Sequence, residues 1–324
     1  MSDVDPEDPP NQPTPSSESA QLKTALAFAA VYLIWGSTYL AIRVGVRSIP
    51  PFLMSGCRFV GAGSALYALL RLRGTPAPSR GEWARASIAG VLMLTMGNGL
   101  VTWAERRVPS NLAALIVAAV PLYMALLDWA RPGGTPPARR VLVGIGIGAG
   151  GMALLVSGGR GSAGEVSTIG IGAILVSGLA WSAGSLYARY GRMHRHPVMA
   201  AAQQMLAGGA AMLAIATFRG EPAAVAHGRV TTESALALVY LTLFGSLVAF
   251  SAFGWLVKAT STARLSTVAY VNPVVAVILG WAILDEHLGT RAIMGATLIV
   301  AAVIAMTAQL PARRARVAAA RGRA

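Results

Sequence analysis

This chain is short of charge. Only 12% of its residues are Asp, Glu, Lys or Arg, whereas a soluble domain usually carries about 25%. It has a single cysteine, Cys57, so an intramolecular disulfide is excluded. Cys57 falls inside an apolar run and reads as a small packing residue. The four histidines, His194, His196, His227 and His287, fall in loops, with no cluster of carboxylate or thiolate ligands beside them. There is no Walker A lysine motif and no visible nucleophile–base pair. These absences argue against an enzyme, a metal site, a cofactor and ATP-driven work. Gly146, Gly148 and Gly151 formally spell G-x-G-x-x-G. No strand precedes them and no βαβ unit fits around them, so a dinucleotide fingerprint fails.

What is present is apolar. Hydrophobic residues make up 55% of the chain, gathered in runs near residues 24–42, 52–70, 86–104, 110–129, 141–159, 167–188, 197–218, 234–257, 265–284 and 292–310. A bilayer-spanning helix needs about 20 residues. The runs do not alternate as barrel strands would, and in lipid each backbone amide must be satisfied within its own segment. The expected fold is therefore all-α: a polytopic membrane protein with ten transmembrane helices. The net charge of +14 would suit nucleic acid. The loops on the side of the N-terminus, however, carry more than twice the Lys and Arg of the opposite loops. The positive-inside rule then puts both termini in the cytoplasm, as an even number of spans requires.

The two halves of the chain correspond. Trp35 and Arg43 recur as Trp181 and Arg189, Pro51 and Gly63 as Pro197 and Gly209, and Pro121 as Pro273. Five spans is an odd number, so the second copy would enter the bilayer from the opposite face, as in inverted-repeat transporters. The expected organisation is a polar, disordered tail over 1–22 that lacks signal-peptide features, five-helix repeats over 23–160 and 161–310, and a basic tail over 311–324 near anionic headgroups. Gly144, Gly146, Gly148 and Gly150 give small-xxx-small spacing for close helix packing or a homodimer contact.

Arg58 lies roughly 9 Å into the second span, at about 1.5 Å per residue. A guanidinium there costs at least about 2.5 kcal/mol unless it is paired or wetted. Three readings stay open: a cation lining a water-filled pathway, an ion pair with Glu105, or snorkelling to the headgroups. The repeat places neutral Gln204 at the position matching Arg58, next to Gln203. Trp35 and Tyr39 in the first span, and Trp181 and Tyr187 in the sixth, read equally as gates and stacking surfaces or as an interfacial aromatic belt. Asn98 with Trp103, and Tyr270 with Asn272, are similar candidates. Pro121 and Pro273 are candidate hinges or static kinks. Glu105 and Asp128 are helix-end acids that would serve in an ion pair or in proton coupling, or would simply be solvated.

The segments Trp35-Gly36-Ser37-Thr38-Tyr39, Cys57-Arg58-Phe59, Trp103-Ala104-Glu105, Ala118-Ala119-Val120-Pro121-Leu122, Tyr270-Val271-Asn272-Pro273 and Leu284-Asp285-Glu286 with Gly295 together resemble the drug/metabolite transporter superfamily. The type resembled is EamA, with two tandem EamA domains, over about residues 24–310. The resemblance implies an inner-membrane permease with ten helices, a cavity between the halves, and fifth and tenth helices away from the pathway. It implies export of amino acids, metabolites or drugs, commonly on ion gradients. One departure is that Arg131-Pro132-Gly133 stands where the second half has its acidic pair. The expectation is thus a secondary transporter of the inner membrane, exporting a small molecule by alternating access. An importer of the same fold and a non-transporting scaffold are the alternatives. The expected partners are a small-molecule substrate and the bilayer, with no nucleic acid.

Overall fold

The structure is a computed structural model that describes residues 17–134, 136, 139–157, 167–260, 268–287 and 289–307. Every regular element among them is helical: α1 (Ser17–Gly45), α2 (Pro51–Leu72), α3 (Arg80–Ala104), α4 (Ser110–Ala130), α5 (Arg139–Ser157), α6 (Thr168–Tyr190), α7 (Pro197–Phe218), a short helix at Glu221–His227, α8 (232–259), α9 (Val268–Leu284) and α10 (Thr290–Thr307). The helix starts are written in the sequence. Proline opens α2 and α7, where its missing N–H costs nothing. Ser79 and Glu82 form a capping box on α3, and Ser167 and Thr231 cap α6 and α8. One boundary differs from expectation. The tail read as irregular through residue 22 is helical from Ser17, because Ala20, Gln21, Leu22 and Lys23 all favour helix and extend α1 beyond the apolar run. Residues 1–16 and the basic tail over 311–324 lie outside the described residues.

Among the described residues, seven helices are long and apolar enough to cross a membrane: Gln21–Gly45, Pro51–Leu72, Arg80–Ala104, Ser110–Ala130, Thr168–Tyr190, Pro197–Phe218 and Thr232–Phe253. Apolar helices at Val141–Gly151, Val271–Leu284 and Ile293–Ala302 are shorter. Large apolar side chains point outward along them, with Ile169 74% and Trp281 61% exposed. Leaving such a side chain in water forfeits about 1.5–3 kcal/mol, so lipid covers this surface and the chain is a polytopic membrane protein. Cys57 is exposed on α2, on the outside of the bundle and not packed within it.

Glycine sets the inter-helix distances. A Cβ at Gly56 would meet Leu213, one at Gly63 would meet Leu206, and one at Gly209 would meet Val60, so α2 and α7 lie nearly backbone to backbone. On α5, Gly148 faces Leu122 of α4, and Gly151 abuts Gly295, Leu298 and Ile299 of α10. Gly146 and Gly150 face open space.

Two helices are interrupted in the same manner. The hydrogen bonding widens to π-helix at Val91–Asn98 in α3 and again at Leu241–Val248 in α8. Such stretches often mark functional positions. The two candidate prolines differ. Pro121 restarts α4 after a break at Ala118–Ala119, whereas Pro273 lies inside an unbroken α9.

Candidate functional site

The π-helical turn of α8 is where three helices meet around a cation. Arg58 of α2 is 4% exposed, and its Nε donates to Ser246 Oγ at 2.9 Å. Its guanidinium carbon lies 4.7 Å from the Phe59 ring centre. Its Nη1 has no partner among the described residues. Magnitudes are informative here. A hydrogen bond to a charged group is worth about 1.5–3 kcal/mol, and a desolvated cation–π contact about 2 kcal/mol. Burying an ion without full pairing costs several kcal/mol. Ser246 and Phe59 offset that cost only in part, so Nη1 is left as a donor suited to water or an anionic group. No ion pair within 4.0 Å joins Arg58 to Glu105 among the described residues.

Gly245 makes room for this arrangement. A Cβ there would sit 3.0 Å from Arg58 Nη2 and 3.2 Å from Thr38 Cγ2. Its carbonyl accepts a 3.1 Å hydrogen bond from Trp35 Nε1 of α1. Trp35 also packs on Phe250 and Phe253, with ring centres 5.6 and 4.9 Å away. The π-helical turn of α3 repeats the motif. A Cβ at Gly97 would lie 3.1 Å from the Trp181 ring of α6. The next residue, Asn98, follows its glycine as Ser246 follows Gly245, and its backbone carbonyl accepts from Thr102 Oγ1 at 3.0 Å. The neighbouring contacts also match. Gly36 packs on Asn272 and Val275 of α9, while Ser182 Oγ donates to Val120 O of α4 at 3.3 Å.

The remaining candidates are dispersed. Gln203 is fully buried with neither amide atom partnered, and Gln204 is half-buried behind Gly90, close against its backbone. Asn272 Oδ1 is buried and unpartnered. The side chain of Tyr270 lies outside the described residues. Trp103 and Tyr39 pack together with the core of Val101, Leu112, Ile116 and Ile174. Asp128 and Tyr187 stand at the opposite end of the bundle. Asp128 accepts from Arg131 Nε and Tyr190 OH, each at 2.7 Å. Beside them a cleft of about 440 Å³ is lined by Leu127, Arg131, Ala183, Leu186, Tyr187 and Tyr190.

The two ends of the bundle are fastened differently. At the end holding the starts of α2 and α4, carboxylates from later in the chain cap those helices. Glu221 Oε2 accepts from Leu53 N at 2.8 Å. Glu286 accepts from Ser110 N at 2.9 Å, Ser110 Oγ at 2.8 Å and Asn111 N at 3.1 Å. The same end has Ser234 Oγ donating to Val44 O at 3.0 Å and Thr231 N donating to Ser48 Oγ at 3.0 Å. The other end has the Tyr190–Asp128 bond and Arg85 Nε donating to Arg192 O at 2.6 Å.

The EamA-like transporter family model matches residues 22–157 and again 168–308. The chain belongs to this family. It is 40% identical over 284 residues to the uncharacterized inner membrane transporter YedA of Escherichia coli K12, covering 87% of this chain and 89% of that protein. It is 26% identical over 304 residues to a probable terminal-alkyne amino-acid exporter of Streptantibioticus cattleyicolor, covering 90% and 96% of the two chains. A solved crystal structure of a protein 22% identical to it superposes with a TM-score of 0.61, over 90% of this chain and 98% of that one. At that identity the likeness speaks to the fold alone. This is a multi-pass transporter-family protein with inner-membrane relatives.

Of the residues singled out from the sequence, Trp35, Arg58, Asn98 and Trp181 lie at the two widened turns, where Ser246, Gly97 and Gly245, not singled out, also lie. The missed residues carried a signal. Gly97-Asn98 and Gly245-Ser246 are each a small residue followed by a polar one within a widened turn. The caps by Glu221 and Glu286 were also missed, since nothing in a sequence tells an acid which distant helix start it will reach.

Proposed function

We propose that the chain is a ten-span, inverted-repeat secondary transporter of the inner membrane that exports a small carboxylate-bearing metabolite, amino acid or drug by alternating access. The observation that carries this is the matched pair of π-helical turns, each pressed against by a tryptophan of the other half, with a buried and incompletely paired Arg58 at one of them. A fold maintained only for static packing gains nothing from a buried cation with a spare donor. Arg58 orients the carboxylate. Trp35 and Trp181 cover the apolar part of the substrate, and Tyr39, Trp103, Tyr187 and Tyr270 line its path towards either end. Asn98, Gln203, Gln204 and Asn272 supply neutral hydrogen bonds. Pro121 and Pro273 are the flexing points.

The excess of Lys and Arg on the Asp128 side supports a cytoplasmic position for that end and for both termini. The end sealed by Glu221 and Glu286 then faces the periplasm. The cleft beside Tyr187 supports an arrangement shut on the periplasmic side. The name of the exporter relative favours amino-acid-like cargo and outward movement.

The test is a metabolite profile of spent medium from overexpressing and deleted cells, followed by counterflow of the metabolite so identified in proteoliposomes. Overexpression should enrich one carboxylate-bearing compound in the medium, and Arg58→Ala should abolish its counterflow while leaving folded protein. Undiminished counterflow removes Arg58 from the site. Depletion of a compound from the medium instead makes the chain an importer, and unchanged medium with no counterflow favours a scaffold. Epitope tags at the two ends should both report the cytoplasm; opposite sides would end the inverted-repeat reading.

A further inference from the structure

Glu105 ends α3 with a carboxylate that is fully buried and has no partner on either oxygen among the described residues. The other acids near the bundle ends are engaged. Glu221 and Glu286 cap helices, and Asp128 holds Arg131 and Tyr190. The backbone of Glu105 is engaged, its N–H donating to Val101 O at 2.9 Å and its carbonyl accepting from Arg43 Nη1. The helix end is fixed while the acid itself is left alone.

The titratable and charged groups that face it are Tyr39 and Arg43 from α1, Arg58 from α2, and Glu286 from the turn after α9. None of these cations makes an ion pair with it within 4.0 Å. The part of α6 that packs on this end of α3, around Gly170, Ile171 and Ile174, carries no titratable group, and Arg106 and Arg107 of its own turn are exposed. An ionised carboxylate sealed in protein without a donor is costly, and taking up a proton removes the cost. The two guanidiniums within electrostatic reach pull the other way. The acid falls between Ala104 and Val108, both buried in the apolar cluster with Leu112, Ile116 and Ile171, at the end of the bundle where Glu286 caps α4.

We infer that Glu105 is a proton-binding site at the periplasmic seal, protonated while that end is shut and ionised once water reaches it, and that it couples transport to the proton gradient. This rests on the transporter reading above. In the step, the carboxyl O–H bond breaks and the proton passes to a water molecule. No other covalent bond changes.

The experiment is a pH titration of the full chain in phosphatidylethanolamine–phosphatidylglycerol vesicles, followed by infrared difference spectroscopy. The wild type should show a carboxylic-acid C=O band that Glu105→Gln lacks. The band should persist to a pH at which exposed acids are already ionised, then fall about tenfold per pH unit beyond its midpoint. Superimposable titrations of the two proteins, or a Glu105 band lost together with those of the exposed acids, would overturn the assignment. If Glu105→Gln does not fold, the wild type alone is treated with N,N′-dicyclohexylcarbodiimide, which attacks protonated carboxyls in apolar surroundings. Peptide mapping should find the adduct on Glu105, declining as pH rises. Its absence at every pH, or a yield independent of pH, likewise overturns the assignment. The spent-medium profile judges transport separately. A titrating Glu105 in a chain that moves nothing sinks the transporter reading and leaves the proton site, whereas transport with a silent Glu105 sinks the proton site alone.

Discussion

Arg58 Nε donates to Ser246 Oγ across 188 residues of chain. One residue comes from the second helix and the other from the widened turn of α8, so a single hydrogen bond joins the two halves at a buried charge. In the other half Gln204 stands at the repeat position of Arg58, and Asn98 follows Gly97 as Ser246 follows Gly245. The architecture is duplicated and the charge is not, which gives the centre of the bundle one cationic and one neutral side.

Ser246→Ala removes the acceptor and leaves a second guanidinium nitrogen unpaired. We expect a loss of about 1.5–3 kcal/mol in stability, seen as a lowered thermal midpoint in detergent. Ser246→Thr keeps the hydroxyl and should recover most of it. An unchanged midpoint in Ser246→Ala would mean that water replaces the hydroxyl freely.

Gly245→Ala and Gly97→Ala drive a Cβ against the Arg58 guanidinium and the Trp181 ring, at 3.0 and 3.1 Å. Overpacking of this kind costs about 1–3 kcal/mol. Gly61→Ala is the control, since its Cβ would meet only Thr242, at 3.8 Å; there the higher helix propensity of alanine should be neutral or favourable by up to about 1 kcal/mol. Equal midpoints for all three variants would dismiss the close packing at both widened turns.

Glu286→Ala should destabilise more than Glu221→Ala. Glu286 satisfies three donors at the start of α4, and Glu221 satisfies one at the start of α2. Loss of a cap costs about 0.5–2 kcal/mol. Hydrogen exchange should accelerate at Ser110 and Asn111 in the first variant and at Leu53 in the second. If exchange at those amides does not change, the caps are not formed in the membrane.

Tyr190→Phe should matter little to stability. The Asp128 and Arg131 side chains are 44% and 37% exposed, and solvent-screened pairs contribute about 0–1 kcal/mol. A thermal midpoint within a degree or two of wild type is expected. A large drop would show that this end is fastened as tightly as the other.

The helices could be read from the sequence because lipid imposes one rule on every residue of a span, and long apolar runs state that rule locally. The capping box at Ser79 and the prolines opening α2 and α7 are local signals of the same kind, legible in sequence though not singled out there as helix starts. The repeat was visible in Trp35 and Trp181 because each must fit against a glycine on another helix, a constraint that preserves residue type. Cys57 went wrong because an apolar run does not say which of its faces meets lipid and which meets protein.

The sequence by itself determined that the protein is helical, membrane-embedded and duplicated, since bilayer thickness and backbone hydrogen bonding act on each segment separately. Only the tertiary structure decided that Arg58 bonds to Ser246 and not to Glu105, that the starts of α2 and α4 are capped by acids of the second half, and that one carboxylate is sealed in without a donor among the described residues. Each of those depends on which helix lies beside which, and pairing between distant segments is set by side-chain packing that no single run of residues contains.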